Sequence, residues 1–120
     1  MATTDIGPLP SFLMDMDGVL VHEEEPIPGA DSFIKALEAA ELPFLVLTNN
    51  SIYTPRDLSA RLARTGISLP PERIWTSALA TAQFLSTQRP AGTAFAIGEA
   101  GLTTALHEIC LLYTSDAADE

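Results

Sequence analysis

Asp15 and Asp17 stand one residue apart at the end of the apolar run Phe12-Leu13-Met14, followed by Gly18 and then Val19-Leu20-Val21. A short apolar run closed by a glycine turn predicts a buried strand that ends in a loop. In an extended chain, residues i and i+2 point to one side, so both carboxylates are expected together at the strand's end. Open α/β sheets place their ligands at that edge. Two acids there repel one another unless a cation or an incoming proton belongs to the site. The chemistry expected is therefore a metal site with a carboxylate left over for reaction. A second constellation, Thr48-Asn49-Asn50-Ser51, ends the apolar run Phe44-Leu45-Val46-Leu47 and offers hydroxyl and amide donors suited to gripping a phosphate or carboxylate.

Plainer readings stand beside these. Asp-x-Asp-Gly also suits a turn, since Asp and Gly both favour turns, and Asn-Asn-Ser does too. A calcium loop would need further oxygen ligands at EF-hand spacing, and they are absent. The metal-binding DxD of a nucleotide-sugar transferase is a further alternative on the first stretch alone. His22 and the acid run Glu23-Glu24-Glu25 read as an exposed, solvated loop.

The elements that must position these residues follow from periodicity. Phe33, Ile34, Leu37 and Ala40 make an apolar stripe at helical spacing, with Asp31 near its start. Strand, helix and strand make a βαβ unit, so the two strands should be parallel neighbours with their carboxyl ends on one edge. That puts Thr48, Asn49 and Asn50 beside Asp15 and Asp17. Thr54-Pro55-Arg56-Asp57 carries a cap, a first-position proline and a capping-box partner, so it opens a helix. Leu58 and Leu62 are its buried side, Arg56, Arg61 and Arg64 its wet face, and Gly66 its end. Arg73-Ile74-Trp75-Thr76 predicts a short strand. Ser77 is expected to cap a helix to about Ser86, with Leu79, Ala82, Phe84 and Leu85 in the core. Thr93 to Gly98 reads as another strand, and Glu99-Ala100-Gly101-Leu102 starts another helix. From Leu111 to Glu120 the pattern gives way to a small, acidic segment that is expected to complete no element.

Composition sets outer limits. A chain of 120 residues, 47% apolar and 18% charged, suffices for one small domain with a real core. Its formal net charge is −10 with six basic residues in all, which argues against nucleic acid as a partner. An acidic protein that handles an anion needs a metal or backbone amides to hold it. Cys110 is the single cysteine, so neither an intrachain disulfide nor a cysteine zinc site is expected. No apolar stretch is long enough to span a membrane and no signal peptide is recognisable, so a cytoplasmic setting is the default expectation.

Taken in order, these stretches carry a family resemblance. Asp15-Met16-Asp17-Gly18-Val19-Leu20 resembles motif I of the haloacid dehalogenase (HAD) superfamily, and Leu47-Thr48-Asn49-Asn50-Ser51 its motif II. Pro26-Ile27-Pro28-Gly29-Ala30, Thr76-Ser77-Ala78-Leu79-Ala80-Thr81-Ala82 and Ile97-Gly98-Glu99-Ala100-Gly101-Leu102 are similar to the NagD-like branch, which holds nitrophenylphosphatase and phosphoglycolate phosphatase relatives. The resemblance covers roughly residues 12–108. It implies an α/β fold, namely a Rossmann-like core with a parallel sheet, here incomplete, plus the beginning of an α/β cap domain. The divisions it implies are residues 1–92 for the core, 93–109 for the start of the cap, and 110–120 for a tail outside the family.

The resemblance also implies roles. Asp15 would be the nucleophile that forms an aspartyl-phosphate. Asp17 would protonate the leaving oxygen and then activate water. Asp15 and the Asp17 backbone carbonyl would hold Mg²⁺ together with a later acid. Thr48 would bond a phosphoryl oxygen, amides around Gly18 and Asn49 would help, and Asn50 and Ser51 would border the substrate, a small phosphorylated metabolite. The resemblance leaves a homo-oligomer open for the full-length form. Two departures accompany it. The family uses a downstream lysine and a late acidic pair, whereas the only lysine is Lys35, in the first helix. The chain is thus expected to be an amino-terminal piece of such an enzyme, with a non-catalytic phosphate- or Mg²⁺-binding module as the alternative. A receiver-type signalling domain and a phosphomutase of the same superfamily also stay open.

Overall fold

The computed structural model describes residues 10–108 and, by its backbone alone, the strand Leu112–Ser115. Strand β1 (Phe12–Asp15) leads through a tight turn into a small hairpin, β2 (Val21–His22) and β3 (Glu25–Pro26). Helix α1 (Ala30–Ala39) then returns to β4 (Phe44–Thr48). Helix α2 (Pro55–Arg64), a 3₁₀ turn at Pro71–Arg73 and β5 (Ile74–Thr76) follow, then α3 (Ser77–Gln88), β6 (Thr93–Ala96), α4 (Ala100–Glu108) and β7 (Leu112–Ser115).

The first sheet has the order β1-β4-β5, all parallel, with Asp15 opposite Leu47 and Thr48 opposite Thr76. The βαβ expectation is met, because β1 and β4 are adjacent and their carboxyl ends share one edge. Alternation along β4 sends Phe44, Val46 and Thr48 to a fully buried face. Helix α1 lays Ala30, Ile34 and Leu37 on that face and α2 adds Leu58 and Leu62, forming one apolar cluster with Met16, Leu20 and Ile74. Gly66, at φ +98°, ends α2 in the left-handed conformation expected after a helix. Arg73 closes the bottom of the sheet, its guanidinium lying 4.6 Å from the Phe44 ring centroid and donating to the Phe44 carbonyl oxygen at 3.2 Å. The opposite face of the sheet is open at Leu13, which is 69% exposed.

A second cluster joins α3, β6 and α4 through Ala78, Ala82, Ala96, Ala105 and Leu106. Small residues let the two helices approach closely. Three local expectations are corrected. Thr76, not Ser77, caps α3, accepting from the Leu79 N–H at 3.1 Å. Phe84 is 61% exposed rather than core. The segment after Leu111, expected to complete no element, supplies β7, whose backbone pairs in parallel with β6 from Thr93↔Leu112 to Ala96↔Ser115. The rest of the tail assigned to residues 110–120 lies outside the described residues. Among the described residues, no helix is long and apolar enough to cross a membrane.

Candidate active site

The site is built where β1 and β4 run out. The Met16 N–H donates to the Leu47 carbonyl oxygen at 3.0 Å and to Asp15 Oδ1 at 2.8 Å. One Asp15 oxygen is thereby tied to its own chain, which fixes the carboxylate at the strand end while it stays exposed to solvent. The chain then folds around the Met16 carbonyl, which accepts from the Leu20 N–H at 2.9 Å and the Val21 N–H at 3.2 Å. Gly18 makes this turn at φ +85° and donates its N–H to the Val21 carbonyl at 2.7 Å. A Cβ on Gly18 would meet nothing within 4 Å, so glycine is needed there for backbone conformation and not for space. Met16 and Leu20, 4% and 1% exposed, pin the turn to the core.

Strand pairing therefore stops before Asp17, and the extended-chain argument for a common side does not reach it. Asp17 is exposed and bridges Val21 through its backbone. Asp15 lines a depression of about 520 Å³ with Leu47, Asn49 and Trp75. Asp17 lines a neighbouring one of about 460 Å³ with Asn50, Tyr53 and Arg61. Thr48 borders both, so it stands between the two acids' surroundings.

Thr48 is buried at the end of β4, and its Oγ1 accepts from the Asn50 N–H at 3.1 Å. A hydroxyl that accepts in this way still has its own O–H to donate. Asn50 Oδ1 accepts from the Ile52 and Tyr53 N–H groups at 2.9 and 3.2 Å, an Asx turn that bends the chain toward α2. The exposed Asn49 is tied through its carbonyl, which accepts from Ser77 Oγ at 3.0 Å. Ser51 is exposed, and its carbonyl lies against Gly101 at the start of α4. Thr54 then caps α2, accepting from the Asp57 N–H at 3.1 Å in a full capping box.

Sequence reasoning missed three features around this edge. The acid run forms a hairpin tip, with Glu23 and Glu24 at φ 50° and 69° between β2 and β3. It lacks the Asn-Gly or Asp-Gly that normally announces such a turn. Arg61 is not simply wet, for its guanidinium sits 4.4 Å from the Tyr53 ring centroid and 3.6 Å from Glu24. The tie between Gly101 and the motif II loop has no sequence signal beyond a glycine early in a helix.

Lys35 pairs with Asp31 along α1 at 2.9 Å. That contact, followed by the Ser68 N–H bond, holds the Asp31 carboxyl below its ordinary value, and Asp31 in turn raises Lys35. The lone lysine is thus engaged on a helix rather than at the strand ends. Among the described residues no three His, Cys, Asp or Glu side chains gather as a metal cluster. The donors that are present, an exposed Asp15 carboxylate and the main chain at Asp17, fit the sparse ligation of Mg²⁺, which relies on one or two carboxylates plus water and substrate phosphate.

The chain has well-matched relatives. It is 64% identical over 97 residues to the dihydroxyacetone phosphatase of Corynebacterium glutamicum, covering 81% of this chain and 35% of that protein. The structure of NagD from E. coli K-12 superimposes with a TM-score of 0.81 at 34% identity, over 88% of this chain and 42% of that one. A glycerol phosphate phosphatase from Mycobacterium tuberculosis, solved in complex with magnesium, gives a TM-score of 0.75 at 25% identity, over 87% of this chain and 31% of that one. The chain thus spans about a third to two-fifths of the length of these proteins. Over residues 12–110, which carry both acidic and Thr-Asn-Asn motifs at one sheet edge, it matches the haloacid dehalogenase-like hydrolase model, and the chain belongs to that family.

Proposed function

We propose that this chain supplies the nucleophile-bearing part of a Mg²⁺-dependent phosphatase of small phosphate monoesters. The observation that carries the reading is the shared edge, where Asp15 ends β1 beside β4 and Thr48 ends β4 with its Oγ1 accepting from the Asn50 N–H. A carboxylate oxygen of Asp15 attacks phosphorus, forming the P–O bond of an aspartyl-phosphate as the ester P–O bond breaks. Asp17 gives its proton to the leaving oxygen, then takes one from the water that hydrolyses the acyl-phosphate. Thr48 and the amides of Gly18 and Asn49 hold phosphoryl oxygens, and Asn50 and Ser51 border the ester group. Asp15 and the Asp17 carbonyl would hold Mg²⁺, which would supply neutralisation of phosphoryl charge. Phosphoryl transfer depends mainly on such positioning and neutralisation.

The substrate class is supported by relatives named dihydroxyacetone phosphatase and glycerol phosphate phosphatase. A small phosphorylated metabolite in a cytoplasmic setting is the corresponding assignment here. Residues 1–92 are assigned to the core and 93–109 to the start of a cap, while 110–120 are not assigned to the family although the backbone of β7 pairs with β6. The test is a chimera in which residues 12–108 replace their counterparts in the dihydroxyacetone phosphatase. It should hydrolyse p-nitrophenyl phosphate with Mg²⁺, and Asp15→Asn should abolish turnover and ³²P labelling. Full activity in the Asp15→Asn chimera would end the assignment.

A second reading, a phosphate- or Mg²⁺-binding module without turnover, is favoured by one observation. The only lysine of the chain, Lys35, pairs with Asp31 along α1 and not at the strand ends. For the chain by itself this reading expects phosphate binding without hydrolysis. Turnover by the 120-residue chain would remove it.

A further inference from the structure

The approach of α4 to the motif II loop is closer than any side chain permits. The Gly101 N–H donates to the Ile52 carbonyl oxygen at 3.0 Å. A Cβ on Gly101 would overlap the Ser51 carbonyl oxygen and stand 2.9 Å from the Tyr53 carbonyl oxygen and 3.0 Å from the Ile52 carbonyl carbon. All three are backbone atoms, so no rotamer change relieves the overlap. Gly98 makes a useful contrast, because its Cβ would meet only the Leu102 side chain, at 3.0 Å from Cδ2, and that methyl can move.

The other side of the same loop carries the candidate grip. The Ile52 and Tyr53 N–H groups hold Asn50 Oδ1, and the Asn50 N–H is held by Thr48 Oγ1. The Ser51–Ile52 and Ile52–Tyr53 peptides therefore face Gly101 through their carbonyl groups and Asn50 Oδ1 through their N–H groups. Helix α4 is itself anchored by Ala105 and Leu106, each 2% exposed in the second cluster. If a side chain were forced in at position 101, the loop would yield before the helix, since its Ser51 and Ile52 side chains are exposed.

We propose that Gly101 is a positioning residue for the phosphate grip. It braces the Ser51–Tyr53 backbone against α4 and so fixes the orientation of Asn50 and the approach of Thr48. The role rests on the reading of Thr48–Ser51 as a phosphate grip, yet the brace itself can be tested without it.

The experiment compares Gly101→Ala with Gly98→Ala and Leu106→Val in the whole chain. The readouts are amide hydrogen exchange at Ile52 and Tyr53 and, in the presence of Mg²⁺, inorganic phosphate affinity from the Thr48–Ser51 amide shifts. Gly101→Ala should speed exchange at both amides by about 10-fold or more and weaken phosphate by roughly 5-fold. Gly98→Ala should leave both readouts within about 2-fold, and Leu106→Val should lower the melting temperature without moving either. Unchanged exchange in Gly101→Ala, or equal loosening in Leu106→Val, would overturn the brace. If Gly101→Ala does not fold, the unmodified chain still decides the matter. Its Gly101, Ile52 and Tyr53 amides should open together, and exchange rates differing by more than about 10-fold would refute it. Absence of phosphate binding in the unmodified chain would strike the grip reading alone, leaving the exchange result to judge Gly101.

Discussion

Thr48→Val tests the candidate site at the point where fold and chemistry meet. Valine keeps the shape and β-branching that β4 favours, so the strand should persist. The substitution removes the acceptor of the Asn50 N–H bond, 3.1 Å long and partly buried, and the hydroxyl hydrogen assigned to a phosphoryl oxygen. Losing the acceptor strands a donor, which costs about 1–2 kcal/mol of stability. Losing a bond to an anion costs about 1.5–3 kcal/mol of affinity, or roughly 10- to 150-fold. Thr48→Ser makes the opposite trade. It keeps the hydroxyl and removes one methyl from a residue 6% exposed, at about 1 kcal/mol of stability. Urea denaturation and phosphate titration by NMR, each with Mg²⁺, separate the two. Both variants should be destabilised by similar amounts, while only valine loses phosphate affinity. If serine loses as much affinity as valine, or if valine keeps it, the hydroxyl is structural and the assignment of Thr48 fails.

Three further outcomes follow from local geometry. Gly18→Ala should destabilise by about 1–2 kcal/mol, because φ +85° is unfavourable for any Cβ although nothing stands within 4 Å of it; an unchanged urea midpoint would refute this. Glu24→Gly, at φ 69° on the hairpin tip, should stabilise by about 0.5–1 kcal/mol, and a lower melting temperature would show that the tip gains more from Glu24 and Arg61 than it loses in strain. Asp31 has a native pKa below its ordinary 3.8 and Lys35 one above 10.5. The carboxylate's contribution is complete above pH 3.8 and fades as pH falls through its lowered native value, while the ammonium's is complete below pH 10.5 and fades as pH rises through its raised one. An Asp31 carboxyl carbon resonance that titrates at 3.8 or higher would contradict the pairing.

What could be read from the chain depended on whether the signal was periodic or conformational. The strands at Phe12 and Phe44, and the α1 stripe of Ile34 and Leu37, announce themselves because burial repeats at a fixed spacing, and a helix between two strands then forces parallel pairing. Asp15 and Thr48 fall at one edge for that reason. Asp17 was less accessible to this reasoning. Strand alternation ends with β1 at Asp15, and the turn around the Met16 carbonyl decides where Asp17 goes. The β2–β3 hairpin was invisible because its tip residues are glutamates in a conformation that usually selects glycine or asparagine. Phe84 shows the limit of composition, since an aromatic within a helix reads as core until the facing element is known. The Gly101 contact joins residues fifty apart, and no local pattern encodes it.

Charge decides how a phosphate can approach this edge at all. The chain carries −10 overall, and Asp15, Asp17, Glu23 and Glu24 surround the two depressions. The basic groups there are Arg61 and Arg64 on α2, and Arg61 already serves Tyr53 and Glu24. Each unit charge about 4 Å from an arriving anion costs about 1 kcal/mol even in water, so several carboxylates outweigh a single hydroxyl and a few amides. A divalent cation on Asp15 would reverse the local sign and make the same amides productive. Inorganic phosphate should therefore bind at least about 10-fold more tightly with Mg²⁺ than with chelator, and salt should weaken the chelated form least, because it screens repulsion there. Asp15→Asn should narrow the gap from both sides, removing a repelling charge and the cation's ligand together. Equal phosphate affinity with and without Mg²⁺ would mean that Thr48 and the backbone amides suffice, and the electrostatic case for a cation at Asp15 would fall.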